Sequence, residues 1–307
     1  MNAGVMNLLD PVLKKYNVPE WLKPYLYEYA RKDPLNAIKR ATSFIDVKRK
    51  KGVVTSSYIK LPNNITFKTE SVVHILSLFF YGEEEAAKIS KEWAVGHDMP
   101  SRDYAEQFSG MVEMYEKHLR AIKNLLSGMG YKPTEPTSEV RDVFAYMRTI
   151  DGWPERMVAA NILLKQSYGA AFGSTFYKTF YFVMPEFMRS FGKVFNDTND
   201  IAVRGAELAA AAVKSKAVPD ARLVELAEGM LSRVARSIDA EMPMATAAGI
   251  RNEAELLRRL AIAYPLHTLK ELGVDLDMEK EERAISAMLG KPSASKHAAK
   301  RSAHGKG

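Results

Sequence analysis

The chain contains no cysteine among its 307 residues, and that absence removes several kinds of chemistry at once. Without thiols there are no disulfide bonds, no thiolate-bound metals and no cysteine nucleophile. Long apolar runs are also missing, because none approaches the ~20 residues that a membrane-spanning helix needs. The N-terminal residues mix acid and base and lack the apolar segment of a signal peptide. We therefore expect a cytoplasmic globular protein without a membrane partner.

Recognisable catalytic motifs are absent as well. The sequence has no P-loop, no G-x-G-x-x-G and no H-E-x-x-H. Apolar residues make up 47% and charged residues 26%, which is ordinary for a globular protein, and the length allows one or two domains. Composition therefore predicts a well-packed protein and gives no direct sign of an enzyme class.

Positive charge is concentrated in two segments of a chain whose net charge is +7. Residues 31 to 60 contain nine Lys or Arg and two Asp, a balance of +7, and residues 291 to 307 contain five Lys or Arg and no acid, a balance of +5. The rest of the chain is therefore acidic, at −5. Each basic segment is either solvated surface or a contact for a polyanion such as nucleic acid. The candidate contact residues are Lys48, Arg49, Lys50, Lys51, Lys291, Lys296, Lys300, Arg301 and Lys306.

Residues 291 to 307 also lack any large apolar side chain. Such a segment cannot bury enough surface to offset the entropy of ordering, so we expect a disordered tail. A solubilising end without a specific partner explains this composition as well as a nucleic-acid contact does.

The central stretch, from Glu70 to Leu126, predicts two long antiparallel helices. In the first, the face formed by Val72, Leu76, Phe79, Glu83 and Ala86 is spaced by three and four residues, which is helical periodicity. Glu84, Glu85 and Lys88 are predicted to lie off this face. The second helix has the same pattern, with an inner face of Phe108, Met111, Tyr115, His118, Ile122 and Leu125.

One carboxylate, one phenol and one imidazole are therefore predicted to face the core. A buried carboxylate without a partner is costly, so Glu83 needs compensation. Either Glu83 and His118 form a hydrogen bond across the two helices, or they share a metal ion.

The remaining chain predicts further helices joined by short connections. We expect short helices in residues 1 to 50, and a loop with a short strand or hairpin at 53 to 68. Glycines after Ser127 are suited to end the second long helix. The later helices are predicted at 137 to 149, 154 to 182, 185 to 215 and 219 to 289, with a break at Pro243.

Three further groups of polar residues are expected to be structural. His74 is predicted at the surface or an edge, and His267 is expected to pair with Glu271 four residues later. Asp239 and Glu241 are expected to cap a helix end or face solvent.

Two sequence stretches carry a resemblance to a known family. LSLFFYGEEEAA followed by YAEQFSGMVEMYEKHLRAIKNLL resembles the first two core helices of the ferritin-like di-iron oxidases, in the branch of ribonucleotide reductase small subunits and ligand-binding oxidases. LLKQSYGAAFGSTFYKTF and VFNDTNDIAVRGAELAA resemble the third and fourth. The resemblance implies an all-α fold, a ferritin-like four-helix bundle with extra N- and C-terminal helices. The implied division is 1–68 N-terminal helices and loop, 69–215 core, 216–290 C-terminal helices and 291–307 basic tail.

The family places carboxylates and histidines on four helices around two metals, and most of these ligands are replaced in this chain. The resemblance implies that the former ligand positions are Glu83, Tyr115, His118, Gln166, Thr198 and Ile201, and that Asp197 corresponds to the acid that orients the missing histidine. Glu83 and His118 supply one negative charge, whereas two divalent ions need several carboxylates. The neutral replacements are typical of a hydrogen-bonded network.

Two functions are consistent with these features. The first is a non-catalytic binding or scaffold protein on a degenerate ferritin-like bundle, without a cofactor, that contacts nucleic acid or a ribonucleoprotein through its basic segments. The second is a metal-dependent oxidoreductase of the di-iron oxidase type, with iron or manganese in a reduced or unusual site whose remaining candidate ligands are Glu83 and His118. Relatives of this kind are often dimers, so the resemblance also implies a homodimer.

Overall fold

The computed structural model describes residues 10–11, 13–14, 18, 20–32, 53–54, 58–60, 66–95, 102–169, 197–247 and 251–288. Within these ranges the protein is predominantly helical, which agrees with the predicted all-α class. The helices in chain order are α1 (Lys23–Lys32), α2 (Thr69–Ala94), α3 (Arg102–Gly128), α4 (Ser138–Met147), α5 (Trp153–Tyr168), α6 (Asn199–Lys214), α7 (Asp220–Ala247), α8 (Arg251–Glu271) and α9 (Met278–Met288). None of the helices in these ranges combines the length and apolar character that crossing a bilayer requires.

A small three-stranded antiparallel sheet precedes the first long helix. Its strands are β1 (Val53–Val54), β2 (Tyr58–Lys60) and β3 (Thr66–Lys68), and β2 lies between the other two. Ile59 pairs with Val54 on one side and with Phe67 on the other. The predicted hairpin at 53 to 68 is therefore present, and the backbone passes directly from β3 into α2.

Helices α2 and α3 run antiparallel, as predicted. Glu83 lies beside His118, whereas Trp93, ten residues further along α2, packs edge-on against Phe108, ten residues earlier in α3. The inner face of α3 is buried at every predicted position, because its apolar residues keep a regular helical spacing. The two helices together contribute one wall of the main hydrophobic core.

The prediction for Glu85 is wrong, because this residue is buried instead of lying off the inner face of α2. Its carboxylate accepts hydrogen bonds from Lys88 Nζ at 2.9 Å and lies 2.9 Å from Arg148 Nη2, just after α4. Burial alone would raise the pKa of Glu85, but the hydrogen bonds from Lys88 and Arg148 outweigh it and lower the pKa. Glu85 therefore ties the start of the α4–α5 connection to α2.

The predicted glycine cap of α3 is present at Gly130. Its φ of 79° lies in the left-handed region that residues other than glycine avoid. Gly130 N donates to Ser127 O at 3.0 Å, and Tyr131 N donates to Leu126 O at 2.9 Å. This pair of bonds is a Schellman motif, which satisfies carbonyls at the helix end and leads into the segment 131–137, which has no regular secondary structure.

Helix α5 changes its winding along its length. It is α-helical at Trp153–Val158, π-helical at Ala159–Leu164 and α-helical again at Lys165–Tyr168. A π-helical turn places an extra residue in the turn, so the side chains that follow rotate relative to a regular α-helix. The predicted extension of this helix to 182, and the first part of the helix predicted from 185, lie outside the described residues.

The C-terminal helices share one hydrophobic core with the preceding ones, with buried side chains from Ala86 to Ile285 in a single cluster. The predicted break at Pro243 is wrong, because α7 continues from Asp220 to Ala247. A smaller apolar cluster forms around Leu13 and Ala30 near the N-terminus. Helix α1 is also held to the C-terminal helices by polar contacts, such as the hydrogen bond from Tyr25 Oη to Glu282 at 2.7 Å.

The expectation that Glu241 caps a helix end or faces solvent is wrong, whereas the partly buried position of His74 near the start of α2 is consistent with the predicted edge position. Glu241 lies inside α7 and is buried, and it bonds to the partly buried ring of His74 in α2. Asp239, two residues earlier, accepts a hydrogen bond from Arg258 Nη1 of α8 at 2.9 Å. The expected pair of His267 and Glu271 is present, with a separation of 3.8 Å.

Candidate functional site

A polar network crosses the core where α2, α3 and the start of α6 meet. His118 is 4% exposed and both of its ring nitrogens have polar partners. Nδ1 lies 3.2 Å from Glu83 Oε2, and Nε2 lies 3.1 Å from Thr198 Oγ1. Thr198 is 1% exposed and stands at the residue that precedes α6. The predicted hydrogen bond between Glu83 and His118 is therefore present, and Thr198 extends it to another helix.

The partners of His118 fix the position of its proton when the ring is neutral. A carboxylate can only accept, so Nδ1 carries the hydrogen and donates it to Glu83. Nε2 then holds a lone pair that accepts from the hydroxyl of Thr198. Both ring nitrogens are thus used in hydrogen bonds between protein side chains.

Tyr115 lies three residues before His118 on the same helix and is also buried. Burial raises the pKa of its phenol, and the negative charge of Glu83 raises the pKa further. Tyr115 is therefore a neutral phenol at any ordinary pH. Tyr115 thus adds a polar group without charge to this part of the core.

A lysine ammonium completes this region of the core. Lys165 Nζ lies 5.8 Å from the centre of the Tyr115 ring, within the range of a cation–π contact. The same ammonium donates to Asn161 Oδ1 at 2.9 Å. Burial lowers the pKa of Lys165 from 10.5 to about 8, while the nearby Glu83 acts in the opposite direction. A positive charge therefore accompanies the one carboxylate of the site.

Close packing of α6 holds Asn161 in place. Gly205 lies so near that an added Cβ would be 2.4 Å from Asn161 Oδ1 and 2.9 Å from Gln107 Nε2. Gln107 in turn donates from Nε2 to Ile201 O at 2.8 Å, which joins α3 to α6. Glycine is needed at position 205 because any side chain would displace the amides of Gln107 and Asn161, and Asn161 is the one that accepts from Lys165.

The other predicted site residues have different surroundings. Gln166 is partly buried, and its Oε1 has no hydrogen-bond partner within the described part of the chain. Asp197 is exposed, so its side chain does not join the buried network. Ile201 is partly buried and packs against the main core. The structure thus brings together Glu83, Tyr115, His118 and Thr198, and leaves Asp197 outside.

The donor set does not fit a di-metal centre. In the described ranges, no group of three or more His, Asp or Glu side chains is placed to hold a metal ion. Glu83 is the carboxylate of the network, and its negative charge acts on the nearby ammonium of Lys165 by raising the pKa of that group. Two divalent cations would meet one negative charge and an ammonium, which is electrostatically unfavourable.

Sequence reasoning missed Lys165, although a signal for it exists. Lys165 is the one charged residue between Arg156 and Tyr168, and six residues before it are buried, Ala159 to Leu164. A charge in so apolar a run is expected to have a buried partner. The regular α-helical spacing predicted Gln166 on the inner face, and the π-helical turn just before Lys165 changes that register.

The nine candidate polyanion contacts, Lys48 to Lys51 and the basic residues of 291–307, lie outside the described residues. Comparison with known proteins gives no relative from which their role can be transferred. No family model matches the chain, no curated protein matches it, and no solved structure matches it.

Proposed function

We propose that the protein is a non-catalytic binding or scaffold protein, built on a ferritin-like bundle in which the metal site is replaced by a polar network. The observation that carries the proposal is the ammonium of Lys165, which lies 5.8 Å from the centre of the Tyr115 ring and whose pKa the negative charge of Glu83 raises. In a metal-binding bundle, cations are supplied by the metal and carboxylates by the protein. Here one carboxylate is accompanied by one protein cation, so the site is electrically complete without a metal.

The hydrogen bonds of His118 support the same conclusion. A metal ligand must offer a nitrogen lone pair to the metal. The Nδ1 of His118 faces Glu83 at 3.2 Å, and its Nε2 faces the hydroxyl of Thr198 at 3.1 Å. Metal binding would have to break one of these bonds and desolvate the partner that is left.

The proposed partner is nucleic acid, and the charge distribution supports it. Residues 31 to 60 and 291 to 307 together carry +12, while the rest of the chain carries −5. Phosphate groups attract such segments, and the release of counterions makes the binding strongly dependent on salt. The helical core would then position the basic segments.

Metal analysis of the purified full-length protein tests the first part of the proposal. We expect well below one equivalent of iron or manganese per chain after purification without added metal. Two equivalents would overturn the proposal. One equivalent that disappears in both Glu83→Gln and His118→Ala, but not in the control Glu84→Gln, would instead show a metal site at these residues, which the oxidoreductase alternative requires.

Salt-dependent binding to a nucleic-acid duplex tests the partner. The slope of log K against log salt should become less steep by up to about 4.5 when residues 291–307 are deleted, since each neutralised phosphate contributes about 0.9. A full-length variant with the five basic tail residues changed to Gln controls for the loss of chain length. Equal affinities and slopes for all three proteins would rule out the tail as a binding element.

The metal-dependent oxidoreductase is retained as a second candidate because of one observation. Gln166 Oε1 is a buried carbonyl oxygen without a hydrogen-bond partner in the described ranges, and such an oxygen can serve as a hard ligand. The resemblance to di-iron oxidases implies that Gln166 occupies a ligand position together with Glu83 and His118, and these three side chains would then supply the donors for a single ion. This alternative predicts that metal is bound at about one equivalent and that Gln166→Leu reduces it.

A further inference from the structure

A second polar cluster links α2, the segment between α3 and α4, and α7. His74 Nε2 lies 2.5 Å from Glu241 Oε2, and His74 Nδ1 lies 3.3 Å from Thr134 Oγ1. Glu241 is 8% exposed, the His74 ring is partly buried, and Thr134 is exposed. A carboxylate, an imidazole and a hydroxyl therefore follow one another from the interior to the solvent.

The order of these groups fixes the role of the imidazole. The carboxylate of Glu241 can only accept, so the neutral ring of His74 carries its hydrogen on Nε2. Nδ1 then presents a lone pair to the hydroxyl of Thr134, which is the position of a general base. The same relation of acid, base and hydroxyl occurs in hydrolases of unrelated folds.

Two further contacts hold the cluster in its arrangement. Thr137 Oγ1 donates to the other carboxylate oxygen, Glu241 Oε1, at 3.0 Å, which leaves Oε2 for His74. The backbone N–H of Thr134 donates to Ser77 Oγ at 2.9 Å. Ser77 lies on α2, about one helical turn after His74. Base and hydroxyl are thus both anchored to α2. The cluster is also separate from the Glu83 site, since His74 precedes Glu83 by nine residues, about 13 Å of helix.

From this geometry we infer that Thr134 is an activated hydroxyl that accepts an acyl group from an ester with a good leaving group. Thr134 Oγ1 attacks the ester carbonyl, and its proton moves to His74 Nδ1. The bond between Oγ1 and the acyl carbon forms as the bond between that carbon and the leaving oxygen breaks. The leaving oxygen takes the proton from His74, so that an acyl-threonine and an alcohol or phenol are produced. Glu241 orients His74 and stabilises its cationic form, which makes Glu241 a positioning residue.

The test uses the full-length protein and p-nitrophenyl acetate as the acyl donor. Peptide mass spectrometry should find one acetyl group on Thr134, and its formation should coincide with an initial burst of p-nitrophenol. The exposed hydroxyl of Thr149, which donates to the carbonyl of Tyr146 and has no imidazole partner among the residues that the structure describes, serves as the internal reference. We expect Thr134 to be labelled at least 100-fold faster than Thr149, in line with the size of general-base catalysis.

Variants separate the relay from a merely structural contact. His74→Gln should lower the rate of Thr134 labelling about 100-fold, and Thr134→Val should abolish the label, whereas Thr134→Ser should retain it. The matched control is His267→Gln, a histidine beside Glu271 on α8, which should leave the labelling rate unchanged. Circular dichroism melts identify any variant that fails to fold, and Thr134→Ser then remains the deciding comparison. Labelling confined to lysines, or equal rates at Thr134 and Thr149 in the unmodified protein, would overturn the inference.

Discussion

Replacing Lys165 by Met should change how the stability of the protein depends on pH. Burial lowers the pKa of Lys165 from 10.5 to about 8, so between these values the unfolded chain holds a proton that the folded chain has lost. Stability therefore rises with pH across this window. From pH 7 to pH 9.5 the gain from this one group is about 2 kcal/mol, and Lys165→Met should lose it.

The measurement is chemical denaturation at pH 7, 8, 9 and 9.5 for both proteins. The upper limit lies below the ordinary pKa of tyrosine, near 10, because the buried phenols of Tyr115 and Tyr168 have raised pKa values and would reduce stability above it. Lys123→Met, at an exposed position of α3, is the matched control and should retain the full pH dependence. If Lys165→Met shows the same rise in stability as the unmodified protein, the ammonium of Lys165 is not desolvated to the extent that its lowered pKa requires.

Three further predictions concern packing and buried charge. Gly205→Ala should destabilise the protein by about 1–3 kcal/mol, because its Cβ would overlap Asn161. In the control Gly82→Ala, the nearest neighbour of the new Cβ lies at 3.7 Å, so this change should be neutral or up to about 1 kcal/mol stabilising. Thermal melts that place the two variants in the opposite order would contradict the packing. His118→Ala should cost about 1–3 kcal/mol by removing the hydrogen bonds of His118 to Glu83 and Thr198, and an unchanged midpoint of unfolding would count against the network. Folding lowers the pKa of Glu85, so its carboxylate contributes stability above the ordinary pKa of a glutamate, and this contribution is lost as pH falls. Glu85→Gln should lack the contribution and should therefore lose less stability in acid than the unmodified protein. Equal loss of stability in acid for both proteins would refute this.

Helices α2 and α3 were predictable because their buried residues recur every three or four positions, which is a pattern that the sequence shows directly. That periodicity placed Phe108, Tyr115 and His118 in the core correctly. It also indicated that Glu83 needs a partner, and the hydrogen bond to His118 supplies one.

The errors arise where the partner of a charged residue lies far away in the sequence. Glu85 is buried because Arg148, 63 positions later, reaches its carboxylate. Glu241 is buried because His74, 167 positions earlier, lies against it. The spacing of residues within one helix cannot identify these distant partners, since they meet only when α2 packs against later segments. Sequence spacing alone therefore describes the apolar face and misassigns charges that are neutralised across the fold.

Because of the π-helical turn at Ala159–Leu164, the number of residues in this turn decides which side chains of α5 face the core. Removing one residue from this turn would restore α-helical winding and rotate the following side chains by about 100°. The ammonium of Lys165 would then leave the neighbourhood of Tyr115, and another side chain of the same helix would take its place. A single insertion or deletion at this turn could thus exchange the charge at the centre of the protein without any substitution in α2, α3 or α6.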